Sequence, residues 1–142
     1  MKFWDTSAIV ALCVHEPHSA TVKSILVKDP SVAVWWATRT ECLSALIRQA
    51  REGGVSVTGE RQARHVLEVL ARTWVEIQPT DALRGTAERL LAVHPLRAAD
   101  AFQLAAALQW CGGRTRDIGF VSFDARLREA GYREGFTLLP AE

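Results

Sequence analysis

Residues 2–14 read Lys-Phe-Trp-Asp-Thr-Ser-Ala-Ile-Val-Ala-Leu-Cys-Val, and the reading of this stretch decides the fold. Phe3 and Trp4 make a short apolar run that stops at an acid, as a buried strand does at its carboxyl end. Thr6 or Ser7 can cap the next element. The run from Ala8 onward is apolar without alternation, and a helix is predicted over 8–14. A buried strand that passes directly into a helix is the first half of a parallel crossover unit.

The rest of the chain repeats that step. Strands are predicted over 32–35, 74–77, 118–123 and 136–139, where β-branched and aromatic residues gather. Helices are predicted over 18–28, 38–52, 58–72, 81–93, 97–110 and 125–130. Pro17 and Pro30 bound the second helix. Thr38 is the expected N-cap of the third, and Gly53-Gly54 its stop. Thr58 or Gly59 opens the fourth, Thr80 caps the fifth, and His94-Pro95 breaks it. Gly112-Gly113 ends the alanine-rich sixth. No Asn-Gly hairpin signal occurs. Strands alternating with helices imply an α/β fold, a central parallel sheet of four to five strands with helices on both faces. No repeat, linker or low-complexity segment interrupts it, so residues 1–142 are expected to form a single domain. Ligands of such sheets bind beyond the carboxyl ends of the strands.

Composition excludes several classes. The 142 residues are 49% hydrophobic and carry a formal charge of +1, which rules out disorder and argues against a purely electrostatic grip on nucleic acid. The 17 bases include only three lysines, Lys2, Lys23 and Lys28, against 14 arginines. The apolar run 8–14 is far shorter than the about 20 residues a membrane span needs. It comes after an acid and lacks a basic leader, so no signal peptide is expected. Cys13, Cys42 and Cys111 show no CxxC spacing and read as buried free thiols, which points to a cytoplasmic location.

Four acids fall where such a sheet would present them. Asp5 closes the first strand and Asp124 the strand over 118–123. Glu41 lies in the first turn of the helix after the second strand, and Asp100 in the first turn of the helix Leu96-Arg-Ala-Ala-Asp-Ala-Phe-Gln-Leu-Ala. An acid in a first turn also complements the helix dipole, by about 0.3–1 kcal/mol. Asp5 has a simpler alternative role too, as a strand-end cap. Taken together, four carboxylates converging on one crevice repel one another and call for a cation. Oxygen ligands suit Mg2+ or Mn2+, and carboxylate-held metal serves phosphate chemistry.

These segments resemble PIN-domain ribonucleases, and among them the VapC-type toxins of bacterial toxin–antitoxin pairs. The resemblance rests on Phe3-Trp4-Asp5-Thr6-Ser7-Ala8-Ile9, the Glu41 helix, Leu96 to Ala105, and Phe120-Val121-Ser122-Phe123-Asp124. It spans essentially the whole chain. It implies a PIN-like three-layer sandwich and Mg2+- or Mn2+-dependent endonucleolytic cleavage of RNA. It also implies a cognate antitoxin and a homodimer. The family's acids map onto Asp5, Glu41, Asp100 and Asp124. Its supporting hydroxyl beside the first acid maps onto Thr6 or Ser7. Its hydroxyl two residues before the last acid, often threonine, is Ser122 here. Asp117 competes with Asp124 as the fourth acid, but it precedes the strand rather than ending it.

Other features carry less. His15-Glu16-Pro17-His18 is not a HExxH zinc motif, because the histidines are three apart with a proline between. Trp35-Trp36 reads either as packing at the sheet's end or as a stacking surface for bases. Arg97, one turn before Asp100, either pairs with that acid or reaches an RNA phosphate or the antitoxin. The pairs Arg48 and Arg51, Arg61 and Arg64, and Arg126 and Arg128 read as solvated helix faces. Three other functions compete. A dehalogenase-type phosphatase wants an aspartate at position 7, which is Ser7. A receiver domain wants a late lysine, and the last is Lys28. A catalytically inactive PIN-like RNA- or protein-binding module would not need all four acids. With those four set apart, 12 acids remain against 17 bases, so the rest of the molecule is mildly basic.

Overall fold

Phe3 and Trp4 are adjacent and both fully buried, which a strand permits only if both faces of its sheet are covered. The structure, a computed structural model, describes residues 1–141. Its strands are β1 (Lys2–Trp4), β2 (Val32–Trp35), β3 (Val75–Ile77), β4 (Gly119–Val121) and β5 (Thr137–Leu139). The helices are α1 (Thr6–Cys13), α2 (Ser19–Lys28), α3 (Thr38–Arg51), α4 (Val57–Ala71), α5 (Asp81–Val93), α6 (Ala98–Trp110) and α7 (Ala125–Arg133). The five strands form one sheet in the order β3-β2-β1-β4-β5, and every pairing is parallel. β1 lies at the centre, so its carboxyl end is the middle of the sheet's carboxyl edge.

Alternation along the strands sorts the core into two layers. Trp4, Val32, Val34 and Val121 pack with Ile9, Val22, Leu46 and Leu67, from α1 to α4. Phe3, Ala33, Trp35 and Phe120 pack with Leu83, Leu90, Leu104 and Leu127, from α5 to α7. The alanines of α6 are explained by this second layer. Ala101, Ala105, Ala106 and Ala107 are fully buried, and small side chains let the helix approach both the sheet and α5. The three-layer α/β arrangement is the expected one, with five strands.

Several caps differ from expectation. The N-cap of α1 is Asp5, not Thr6 or Ser7, and its carboxylate accepts from the Ala8 amide. Thr38 begins α3 without capping it; Ala37 stands at the N-cap, and the buried Thr38 hydroxyl accepts from Gln103 Nε2 at 3.0 Å. Ser56 rather than Thr58 or Gly59 caps α4. Thr80 caps α5 as expected. Helix α7 runs three residues beyond the predicted 130, to Arg133, with Gly131 buried within it. Cys13 and Cys42 are buried free thiols, and Cys111 is half-buried rather than buried. Burial pushes the Cys13 thiol up to about 12. Among the described residues no helix is long and apolar enough to cross a membrane.

Candidate active site

The site is built outward from Asp5. Its amide donates to the Val121 carbonyl at 3.1 Å, which continues the β1–β4 pairing one residue beyond the strand. That bond leaves the side chain at the carboxyl edge. There Oδ1 accepts from Ser7 Oγ at 2.6 Å and the Ala8 amide at 3.1 Å. Oδ2 accepts from Ser122 Oγ at 2.7 Å. Despite these bonds the carboxyl is pushed up to about 6 by burial, with the Asp124 charge adding to the effect. Three donors favour the charged form, yet desolvation outweighs them.

The two serines tie β1 to the β4–α7 turn. Ser7 Oγ accepts from the Phe123 amide at 2.9 Å, and Ser122 Oγ from the Asp124 amide at 3.1 Å. Asp124 is in turn the N-cap of α7, with Oδ1 accepting from the Leu127 amide at 2.9 Å. Thus Asp124, three residues past β4, is fixed both by Ser122 before it and by the helix after it.

Glu41 reaches the same place from α3. Its Oε1 accepts from Thr6 Oγ1 at 2.7 Å and from Gln103 Nε2 at 2.8 Å. Asp100 arrives from α6, and its Oδ2 accepts from the Arg97 amide at 3.4 Å, closing the first turn. Burial raises the Asp100 carboxyl, the Asp124 charge raises it further, and Arg126 and Arg97 partly offset this. Asp5, Thr6, Ser7, Glu41, Asp100, Gln103 and Asp124 line one cavity of about 110 Å³. The four acids singled out in the sequence are therefore brought together.

Asp117 is placed elsewhere. It precedes β4, at the opposite edge of the sheet, in a left-handed turn with φ 61°, a conformation an aspartate tolerates. Asp124, not Asp117, lines the cavity. Arg97 makes no side-chain ion pair with Asp100 among the described residues; it is exposed at the rim and acts on that acid through its charge. Arg128 is not a solvated residue. Its guanidinium donates to the carbonyls of Ser122, Leu139 and Pro140 at 2.8, 3.1 and 2.8 Å, so it fastens the end of β4 to the segment after β5. A larger, mostly apolar groove of about 1050 Å³ lies between α1, α2, α3 and α4. It shares no lining residue with the acidic cavity.

Gln103 is the functional-site residue that sequence reasoning missed. It is buried, with 3% exposure, and its Nε2 sits within 3.0 Å of Thr6 Oγ1 and Thr38 Oγ1 as well as near Glu41. An acceptor-only carboxylate requires that the amide nitrogen face it. The Gln103 Oε1 atom is then buried without a hydrogen-bond partner. One signal was available. Gln103 is three residues past Asp100, on the same helical face, and is the one polar residue between Asp100 and Gln109 in the alanine-rich helix.

The donor set fits a hard divalent cation. Four carboxylates share a small cavity, and Glu41, Asp100 and Asp124 each keep one oxygen without a hydrogen bond among the described residues. Among the described residues no group of three or more His, Cys, Asp or Glu side chains stands close enough together to hold a metal ion by itself. Mg2+ does not need such a group, since it usually keeps several waters and binds through one or two carboxylates.

The fold is α/β, an all-parallel sheet with carboxylates gathered at its carboxyl edge. The chain belongs to the PIN-domain family, whose model matches residues 2–131. Several solved structures share the fold. PAE2754 from Pyrobaculum aerophilum is 19% identical, with TM-score 0.68, covering 97% of this chain and 88% of its own. VapC20 from Mycobacterium tuberculosis, a sarcin–ricin-loop-cleaving toxin, is 21% identical, with TM-score 0.66, covering 92% and 95%. FitAcB from Neisseria gonorrhoeae is 13% identical, with TM-score 0.66, covering 97% and 96%. At such identities the likeness is one of fold. No curated protein matches the chain in sequence.

Proposed function

We propose that residues 1–142 act as one PIN domain that hydrolyses RNA phosphodiester bonds with Mg2+ or Mn2+, as the toxin of a toxin–antitoxin pair in the cytoplasm. The observation that carries this reading is the single cavity lined by Asp5, Glu41, Asp100 and Asp124 in a chain of the PIN family. Asp5, Glu41, Asp100 and Asp124 are the residues assigned to hold the metal and serve catalysis. A bound divalent ion supplies Lewis acidity and lowers the pKa of a bound water. The chain's own contribution is positioning. Ser7 and Ser122 hold both oxygens of Asp5, while Thr6 and Gln103 hold one oxygen of Glu41. Arg97 and Arg126 at the rim offer bidentate contacts to phosphate or to an antitoxin carboxylate. Hydrolysis adds water across a P–O bond, with the hydroxyl going to phosphorus and a proton to the departing oxygen.

The antitoxin and the homodimer belong to the same proposal. The fold shared with a toxin supports the first. The exposed Leu91 and Val93 on α5 and Tyr132 on α7 support the second, which light scattering tests. The activity itself is tested with purified protein and RNA. Cleavage is expected with Mn2+ or Mg2+ and is expected to vanish in EDTA and in Asp5→Asn. Metal-dependent cutting by Asp5→Asn at the wild-type rate would overturn the assignment, as would an intact wild type that cuts no RNA.

A further inference from the structure

The carboxyl edge carries two exposed rings, one on each side of the acids. Carrying the observed registers onward sets Asp5 level with Trp35 on β2 and Ser122 after β4, since Phe3 pairs with Ala33 and Phe120. Trp36 and Phe123 stand one residue further out, two strand spacings apart and flanking β1, which is about 10 Å. Both positions are held by backbone. The Trp36 amide donates to the Ile77 carbonyl at 3.0 Å, and the Phe123 amide donates to Ser7 Oγ.

On the β2 side Trp36 is 51% exposed although tryptophan has much apolar surface to hide. It is braced from within. Trp35 meets it edge to face at 6.5 Å, and Phe102 lies flat on Trp35 at 5.4 Å. On the β4 side Phe123 is covered by the His18 imidazole, stacked at 4.0 Å with an interplanar angle of 19°. His18 begins α2 and is itself exposed, so the stack ends in a ring at the surface. Neither ring is needed to close the core, and both are supported from behind by other aromatics. A braced ring loses little side-chain entropy when a base lands on it.

We infer that Trp36 and His18 are base-stacking side chains for single-stranded RNA, holding nucleotides on opposite sides of the scissile phosphate while the acids between them act on it. This rests on the ribonuclease reading above. Stacking tolerates any base, because every base has a π-face, so these rings position the strand rather than read its sequence.

The test measures binding rather than turnover. In the Asp5→Asn background with Mg2+, fluorescence anisotropy monitors a short end-labelled oligouridylate and an abasic ribose-phosphate strand of equal length. Trp36→Ala and His18→Ala are each expected to weaken oligouridylate binding roughly tenfold and to leave the abasic strand unaffected. Trp36→Phe and His18→Phe are expected to retain most of the affinity. Unchanged oligouridylate affinity in both alanine variants, or equal losses on the abasic strand, would overturn the inference. Wild-type cleavage of RNA with Mn2+ is measured in parallel. Cleavage alongside unaffected binding removes the stacking role alone, whereas neither cleavage nor binding removes the ribonuclease reading with it.

Discussion

Gln103 Nε2 lies 2.8 Å from Glu41 Oε1, joining residues 62 positions apart. Through Thr6 Oγ1, 3.0 Å from the same nitrogen, the amide also meets the helix that begins after Asp5. One side chain of α6 thereby fixes an acid of α3 and a hydroxyl of α1. Replacing it with methionine keeps the length and removes the bonds. Gln103→Met is expected to lower kcat by roughly ten- to a hundredfold, as a loosened catalytic group does, with KM little changed. The stability cost is expected to be about 1 kcal/mol, because the unpartnered Oε1 is removed along with the lost bonds. Single-turnover cleavage and a urea melt check the two halves. An unchanged kcat would show that Thr6 alone positions Glu41.

Asp5 is expected to make the metal-free protein less stable as pH rises. Its carboxyl moves from an ordinary 3.8 to about 6 on folding. Between those values the folded chain keeps a proton that the unfolded chain has released, so stability falls with rising pH. The contribution is fully present below the unfolded value and is lost by about pH 6, a difference of roughly 3 kcal/mol. Asp5→Asn stays neutral throughout. In EDTA its denaturation free energy should lack that slope and exceed wild type's at pH 7, while its cleavage activity is lost. Parallel slopes for the two proteins between pH 4 and 7 would contradict the assignment (the comparison cancels the other titrating groups).

Asp117 and Asp124 are expected to separate cleanly. Asp124→Ala should abolish cleavage and also cost about 1 kcal/mol, since it removes the N-cap of α7. Asp117→Asn should cut RNA at the wild-type rate, because it lies at the opposite edge of the sheet, and asparagine tolerates the left-handed backbone there as well as aspartate does. A fall in cleavage with Asp117→Asn, at unchanged melting temperature, would overturn this placement.

The strand-to-helix steps were legible because each is local. Phe3 and Trp4 ending at Asp5, or the apolar run ending at Asp124, carry their own signal of burial and termination. The acids were legible for the same reason: strand ends and first helical turns are positions that sequence specifies. What stayed hidden depends on tertiary approach. Asp5 rather than Thr6 caps α1, with Ser7 of α1 and Ser122 just past β4 orienting its carboxylate. Thr38 gave up a capping role for a bond to Gln103, 65 positions away. Arg128 looked like one of several helix-face arginines, and only the tertiary approach of Ser122 and of the end of β5 supplies the carbonyls that its guanidinium meets. His18 reaches the edge it shares with Trp36 only by stacking on Phe123, far along the chain, so that common edge appears only once the strand order is known.

Divalent metal is expected to stabilise the fold, with Asp5 setting the pH dependence of that effect. Four carboxylates in a cavity of about 110 Å³ repel one another when ionised, and a cation bound only by the folded state shifts the equilibrium by mass action. At a hundred times the dissociation constant the gain is about 2.7 kcal/mol, which for a chain of this size raises Tm by roughly 5–10 °C. The Mn2+-induced shift should shrink on going from pH 7 to pH 5, because protons then compete for Asp5, whose carboxyl titrates at about 6. Asp5→Asn should respond weakly at both. Differential scanning fluorimetry in Mn2+ against EDTA reads all four conditions. An identical Tm with millimolar Mn2+ and with EDTA at pH 7 would mean that the acids do not form a cation site, and an equal shift in Asp5→Asn would move that site away from Asp5.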